Sequence, residues 1–298
     1  MHAFDYHAPN TLAEAIEQLA QANGQARPLA GGTDLIDQMR CAKRQPSVVI
    51  DIKKLPELRV LQVDAAGLRL GAAVPCCEIT SNATIARDYA ALADSCSIIG
   101  GVQIQSRASV GGNLCNSGPA ADTTPSLIAL AATCVIAGSA GTREVPVESF
   151  CTAPNENVLG PGELLVELRL PAPAPHSGSH YRRVIPRNEM DIAVVGVGAQ
   201  VRLDESGESF AAARIGLGAV GPVPILAHEV AEALVGQPIT EDTVRRAAET
   251  AKRIISPITD MRGTREYRIH VTGVLVERVL HAAIARAKGE TIDYRPGH

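Results

Sequence analysis

The chain has 298 residues, 46% of them hydrophobic, enough to bury one large domain or two ordinary ones and too many for a disordered segment. Its 28 basic residues face 32 acidic ones, a net charge of −4 with no clustered basic face, which excludes the electrostatic footprint of a nucleic-acid binder. No apolar run is long enough to cross a bilayer, and the opening MHAFDYHAPN lacks a basic stretch followed by an apolar one, so neither a membrane span nor a signal peptide is expected and the compartment reads as cytoplasmic.

Thr11, with Glu14 three residues on, carries the capping-box signature of a first helix, and Leu12, Ile16 and Leu19 share a face. ARPL (26–29) reads as a short buried strand that ends at Gly31-Gly32. Thr33 and Asp34 then open a second helix with Leu35, Ile36 and Met39 inward. SVVIDI (47–52) is a strand of β-branched residues. LRVLQV (58–63) and LRLGAAV (68–74) form a hairpin, followed by helix from about Ser81 to Ser97. Residues 100–125, GGVQIQSRASVGGNLCNSGPAADTTP, hold five glycines and two prolines and keep no period; such a stretch inside a compact domain usually binds something. Asp122, Thr123 and Thr124 ahead of Pro125 mark the next helix start, and strands TCVIAG, TREVPV and ELLVELRL follow.

PAPAPHSGS (171–179) is the linker candidate. Beyond it, strands at 181–185, 192–203 and 211–219 precede helices at 227–234, 241–255 and 265–288, the last with Val271, Val274, Leu275 and Val279 on one face. The expected class is α+β: residues 1–175, divisible near residue 55, and a smaller unit over 176–298 with three strands and three helices.

The seven cysteines are scattered and form no C-x-x-C pair, so they are expected as small buried hydrophobes, with no metal site among them. No histidine pair has metal-ligand spacing. Aromatic residues are 3% of the chain and tryptophan is absent, which leaves few rings to stack on a planar cofactor.

The glycine pairs are the informative features. Gly31-Gly32 lies between a strand and a helix start, where unpaired N–H groups and the helix dipole favour an anion. Gly111-Gly112, between Ser109 and Asn113, offers a second cradle of that kind. Two such loops suit the two phosphates of a dinucleotide, although a Gly-Gly pair alone is more often a tight turn. Neither fits G-x-G-x-x-G, so a Rossmann site is not supported.

LAGGTDL (29–35) and SVGGNLCNSGPAADTTP (109–125) resemble the two flavin-binding signatures of the xanthine dehydrogenase and carbon monoxide dehydrogenase family of molybdenum hydroxylases. DMRGTREYRIHVTGVLVERVL (260–280) is similar to the segment that closes the flavoprotein C-terminal domain there. The resemblance spans nearly the whole chain. It implies a PCMH-type, vanillyl-alcohol-oxidase-like FAD-binding domain followed by a smaller flavoprotein domain, as in the separate medium subunit of the bacterial enzymes.

By that resemblance, Leu29, Ala30, Gly31, Gly32, Thr33, Asp34 and Leu35 wrap the FAD pyrophosphate and the adenine-side ribose. Ser109, Val110, Gly111, Gly112 and Asn113 hold its other side, and Asp122 sits near the ribityl chain and the ring. The run 114–117, with Cys115 and Asn116, passes beside the isoalloxazine, without a covalent link. Ile192 falls where some relatives place a tyrosine against the flavin face. Tyr181 and Arg187 lie near this motif, with a surface or domain-contact role at least as natural. The resemblance implies an oxidoreductase subunit with no catalytic acid or base of its own. It passes electrons from two [2Fe–2S] clusters in a small subunit to FAD and on to a terminal acceptor. A large subunit carries the molybdenum cofactor, and the whole is a dimer of three-chain units. A self-contained FAD reductase or oxidase of the same fold is the alternative, and a non-enzymatic assembly subunit a third.

Overall fold

The computed structural model describes residues 1–187 and 190–292. Strand β1 (Asp5–His7) leads to helix α1 (Leu12–Gln21), where the Thr11 hydroxyl accepts the Glu14 N–H at 3.2 Å and the Glu14 carboxylate accepts the Asn10 N–H at 3.0 Å. Strand β2 (Ala26–Leu29), helix α2 (Leu35–Arg40) and strand β3 (Val48–Asp51) complete a parallel sheet of order β1-β3-β2. Met39 is buried as expected, but Ile36 is 42% exposed, because α2 has only six residues and turns that side outward. Leu19, Ile50 and Ile52 form the core beneath this sheet with Leu164 and Val166 from the next one.

That second, antiparallel sheet has the order β4-β5-β10-β6-β7. The hairpin β4 (Leu61–Asp64) and β5 (Gly67–Gly71) starts later than its sequence pattern, since Pro56 opens a 3₁₀ turn over Pro56–Arg59 that buries Leu58. The helical stretch after it is three pieces: α3 (Cys76–Thr80), α4 (Ala83–Asp88) and α5 (Ala90–Ser97). Tyr89, at φ −125°, breaks the last two apart and buries its ring, its hydroxyl donating to the Pro171 carbonyl at 3.2 Å.

Residues 100–125 are less irregular than their composition implied. They hold α6 (Val102–Gln105) and α7 (Val110–Asn116), and lead into α8 (Thr123–Ala129). Ser109 caps α7 by accepting the Gly112 N–H at 3.1 Å, and Ser117, left-handed at φ +50°, ends it. The chain continues through β6 (Thr133–Gly138), β7 (Gly141–Pro146), β8 (Cys151–Ala153), β9 (Glu156–Asn157) and β10 (Leu164–Pro171). A bulge between Leu165 and Glu167 puts Val166 beside Leu164 on the first core, while Leu165, Leu168 and Leu170 face the second.

The linker is shorter than its composition suggests, residues 172–176, because β11 (Ser177–Val184) begins inside it. It pairs with β12 (Val195–Leu203), β13 (Phe210–Gly218) and β14 (Ile225–Leu226), so the expected three strands gain a short fourth. Alternate residues Val195, Val197 and Val201 face a core closed by α9 (His228–Glu232), α10 (Glu241–Ile254) and α11 (Arg265–Ala287). On α11, Val276 and Leu280 join Val271, Leu275 and Val279 in burial, and Val274 turns partly out. The opposite sheet face carries Gly198 and Gly216, where a Cβ would come within 2.7 and 2.2 Å of the Pro125 carbonyl; these glycines let α8 lie directly on the sheet. The C-terminal limit of the unit drawn to residue 298 lies outside the described residues.

Of the cysteines, Cys76, Cys96, Cys134 and Cys151 are buried, Cys77 and Cys115 half-buried, and Cys41 exposed. One buried ion cluster ties the sheets together. Arg286 on α11 grips Asp94 on α5 with both terminal nitrogens, at 2.6 and 3.0 Å, and His180 Nδ1 on β11 lies 2.7 Å from Asp94 Oδ2. Burial alone would raise the Asp94 carboxyl, but His180 and Arg286 hold it below its ordinary value. Removing one partner of a buried pair strands the other charge. We expect Arg286→Met to cost about 3 kcal/mol or more, measured as a fall of several degrees in the thermal midpoint.

Candidate flavin site

The two glycine pairs, one in the loop after β2 and the other in the first turn of α7, face the same cavity, and the glycines of each pair do different work. A Cβ on Gly31 would stand 1.9 Å from the Arg107 carbonyl oxygen, and one on Gly111 would stand 2.5 Å from both Cβ and the carbonyl of Ala72. These first glycines are spent on close approach between backbones. Gly32 has φ +75°, which favours glycine, whereas a Cβ on Gly112 would meet only the Ser109 hydroxyl, at 3.0 Å. A Cβ on Gly32 would also meet the Leu29 and Ile36 side chains at 3.0 Å, so Gly112 is the least obstructed of the four.

Side chains hold the second loop in place. The Asn113 amide oxygen accepts the Thr123 hydroxyl at 2.7 Å, Gln38 of α2 donates to the Asn116 amide oxygen at 3.0 Å, and Asn157 donates to the Cys115 carbonyl at 2.9 Å. Helix α7 is thereby tied to α2, α8 and β9. Its first N–H groups, at Val110 and Gly111, have no intrahelical acceptor and lie at the positive end of the helix.

Between the loops is a cavity of about 880 Å³, within the size range of cofactor sites. Ala30, Gly31, Gly32, Thr33, Asp34 and Leu35 line it from one side, and Ser109, Gly111, Gly112, Asn113, Cys115 and Asn116 from the other, with Asp122 and Ile192 also on the wall. Leu29 and Val110 sit in the layer behind. The Leu29 side chain lies beneath Gly32, and Val110 is 1% exposed in the core. In the run 114–117 only Cys115 and Asn116 reach the wall; Leu114 is buried, and the Ser117 hydroxyl turns back to the Leu114 carbonyl at 3.0 Å. Burial pushes the Cys115 thiol up to about 12, so it is a neutral thiol and not a nucleophile at neutral pH.

Asp122 is the electrostatic centre of the site. Its carboxylate accepts the Tyr181 hydroxyl at 2.8 Å and pairs with Arg183 at 2.5 Å, and Arg183 also donates to the Ile98 carbonyl at 2.8 Å. Burial pushes the Asp122 carboxyl up to about 6 against the opposing pull of Arg183 and Tyr181. Tyr181 is therefore an inner residue. Arg187 is exposed and pairs with Asp191 at 3.1 Å. Arg183 escaped the sequence reading: it carries no motif and reaches the loop from β11, 61 positions away. Ile192 and Met190 are 50% and 62% exposed beside Ile99 and Ile104, an aliphatic wall where an aromatic was the other option. Arg27, Arg44 and the segment 155–165 also line the cavity, again without a sequence signal.

A cavity of this size, walled by paired glycines and helix starts and holding a carboxyl–arginine pair, defines a binding protein for a phosphate-bearing cofactor. The family model described as the FAD binding domain in molybdopterin dehydrogenase matches residues 2–173, and that of the CO dehydrogenase flavoprotein C-terminal domain matches residues 180–283. The chain belongs to this family of molybdopterin dehydrogenase FAD-binding proteins. It is 33% identical over 288 residues to the xanthine dehydrogenase FAD-binding subunit of Escherichia coli O157:H7, covering 96% of this chain and 97% of that one. It is 32% identical to the carbon monoxide dehydrogenase medium chain of Hydrogenophaga pseudoflava, over 95% and 98% of the two chains. The structure of carbon monoxide dehydrogenase from Hydrogenophaga pseudoflava lacking the Mo-pyranopterin moiety superposes with a TM-score of 0.92 at 32% identity, covering 96% of this chain and 98% of that one.

The residues fit FAD on observations of this chain alone. Gly112 leaves its side of the cradle open, Gly32 takes a left-handed turn, and helix starts meet the cavity from both loops. We expect Gly111→Ala to destabilise the fold by about 2 kcal/mol or more through overpacking on Ala72, while Gly112→Ala leaves the thermal midpoint nearly unchanged and weakens flavin retention, read from the bound absorbance after gel filtration. The Asp122 carboxyl has a folded pKa near 6, above its unfolded value, so its contribution to stability is full below about 4 and declines as pH rises through 6. Wild type should therefore lose stability relative to Asp122→Asn between pH 4 and pH 7, seen in paired thermal melts.

Proposed function

We propose that the chain is the FAD-binding electron-transfer subunit of a three-subunit molybdenum hydroxylase. The observation that carries this reading is the convergence of two glycine pairs, one after β2 and one at the start of α7, on one cavity in a chain of the molybdopterin dehydrogenase FAD-binding family. The relatives are named as subunits of xanthine and carbon monoxide dehydrogenases, which favours a relay subunit over a self-contained flavoenzyme. In this reading residues 1–175 bind the cofactor and residues 176–298 close it in. The partners are a large molybdenum-cofactor subunit and a small subunit with two [2Fe–2S] clusters, assembled as a dimer of heterotrimers. The compartment is the cytoplasm. Residues 293–298 are outside the described part of the second unit.

When bound, FAD would supply the redox chemistry of a relay between iron–sulfur clusters and a terminal acceptor. This chain binds, orients and tunes. The backbone N–H groups of the two loops would hold the pyrophosphate, with Ser109 fixing the turn of α7. Asn113 and Thr123 position that turn against Asp122. Asp122 holds or releases a proton near pH 6, and Arg183 and Tyr181 keep its carboxylate in place. Ile192 and Met190 put apolar surface on the cavity wall.

The test is an absorbance spectrum and metal analysis of the native complex that contains this chain. About one FAD per chain is expected, together with co-purifying large and small subunits, iron and molybdenum. Release of this subunit should then remove the flavin absorbance and leave that of the iron–sulfur clusters. A lone, metal-free yellow protein that turns over a substrate by itself would sink the relay reading.

A further inference from the structure

Among the described residues, each buried charged side chain meets an opposite charge. Glu167, buried on β10, lies between Arg69 and Arg169, and Asp94 and Asp122 each hold an arginine. Arg27 and Arg44 depart from that pattern. Both are half-buried on the cavity wall, and neither has a carboxylate partner among the described residues.

Both are nevertheless held in place. Arg27 Nη1 donates to the carbonyls of Gly24 at 2.9 Å and Ala26 at 2.8 Å, and Arg44 Nε donates to the Gln38 amide oxygen at 2.9 Å. The other guanidinium nitrogens of each, Nε and Nη2 of Arg27 and both terminal nitrogens of Arg44, meet no protein acceptor among the described residues. Gln38 in turn donates to Asn116 at the end of α7, so Arg44 is two hydrogen bonds from the second glycine loop. Arg27 sits on β2, the strand that runs directly into the first loop. Burial and the neighbouring charge of Arg44 both push the Arg27 guanidinium below its ordinary value. Two like charges fixed side by side on a partly dry wall are unfavourable unless a ligand brings the counter-charge.

We propose that Arg27 and Arg44 form a phosphate grip on the cavity wall that takes the pyrophosphate of the cofactor's nucleotide half and selects a dinucleotide over the bare flavin. The grip rests on the cofactor reading above and adds two residues that lie outside both glycine signatures. Guanidinium forks suit phosphate oxygens, and a charge-assisted pair of this kind is stronger than a neutral hydrogen bond.

The test compares FAD with riboflavin, which has the ring and ribityl chain but no phosphate. Binding to the flavin-free full chain is followed by quenching of flavin fluorescence, in wild type and in Arg27→Gln/Arg44→Gln. FAD affinity should fall about tenfold or more, and its salt dependence should become shallower, with riboflavin unchanged. Arg27→Lys, which keeps the charge, should retain more FAD affinity than Arg27→Gln. Arg44→Gln alone supplies the measurement if the double variant does not fold. Unchanged FAD affinity, or an equal loss for riboflavin, overturns the grip. Wild type that binds neither flavin overturns the cofactor reading instead.

Discussion

The molecule depends on a backbone contact. Gly31 rests against the Arg107 carbonyl and Gly111 against Ala72, at distances a side chain forbids. The first contact joins the parallel sheet's loop to the segment before α7, and the second seats α7 on the end of β5. Together they set the spacing of the two loops, and so the width of the cavity between them. A dinucleotide site needs that width held closely, because N–H groups bind phosphate only over a narrow range of distance. Packing, here, is what gives the loops their chemistry.

The same economy appears where the third sheet meets the rest. Gly198 and Gly216 let α8 lie on β12 and β13, and α8 begins at Thr123, beside Asp122. The helix that positions the central carboxylate is thus pressed against the strands next to β11, which supplies Arg183 and Tyr181. The ion pair of the site and the Asp94–His180–Arg286 cluster both bridge helices of the second sheet's layer to β11. A shift between the two would break buried charges at two places, which makes the arrangement stiff.

Much of the architecture was legible in the sequence, because it follows from local rules. The Thr11 cap, the Ala26–Leu29 strand and the helix opened at Asp122 fall where their residues put them. The misplacements have local causes too. Pro56 turned the start of a strand into a 3₁₀ turn, and glycines hid α7, whose cap is a single serine. The loop residues at the cavity wall could be named because a motif carries them. Arg183, Tyr181, Arg27 and Arg44 could not be placed in this way, since their roles arise only when strands far apart in the chain meet at one wall. A single charged residue on a strand has the same pattern whether it faces solvent or a ligand.

The arginines on the wall divide by whether the protein satisfies them. Arg183 meets Asp122 and the Ile98 carbonyl, so its charge is balanced within the fold and it acts by placing a carboxylate. Arg27 and Arg44 meet only neutral acceptors. A neutral acceptor fixes a guanidinium without cancelling its charge, which leaves the field directed into the cavity. The site therefore has a charge-balanced part at Asp122 and Arg183 and a cationic part at Arg27 and Arg44. A ligand neutral at one end and doubly anionic in its middle matches that division better than a uniformly charged or uniformly apolar one.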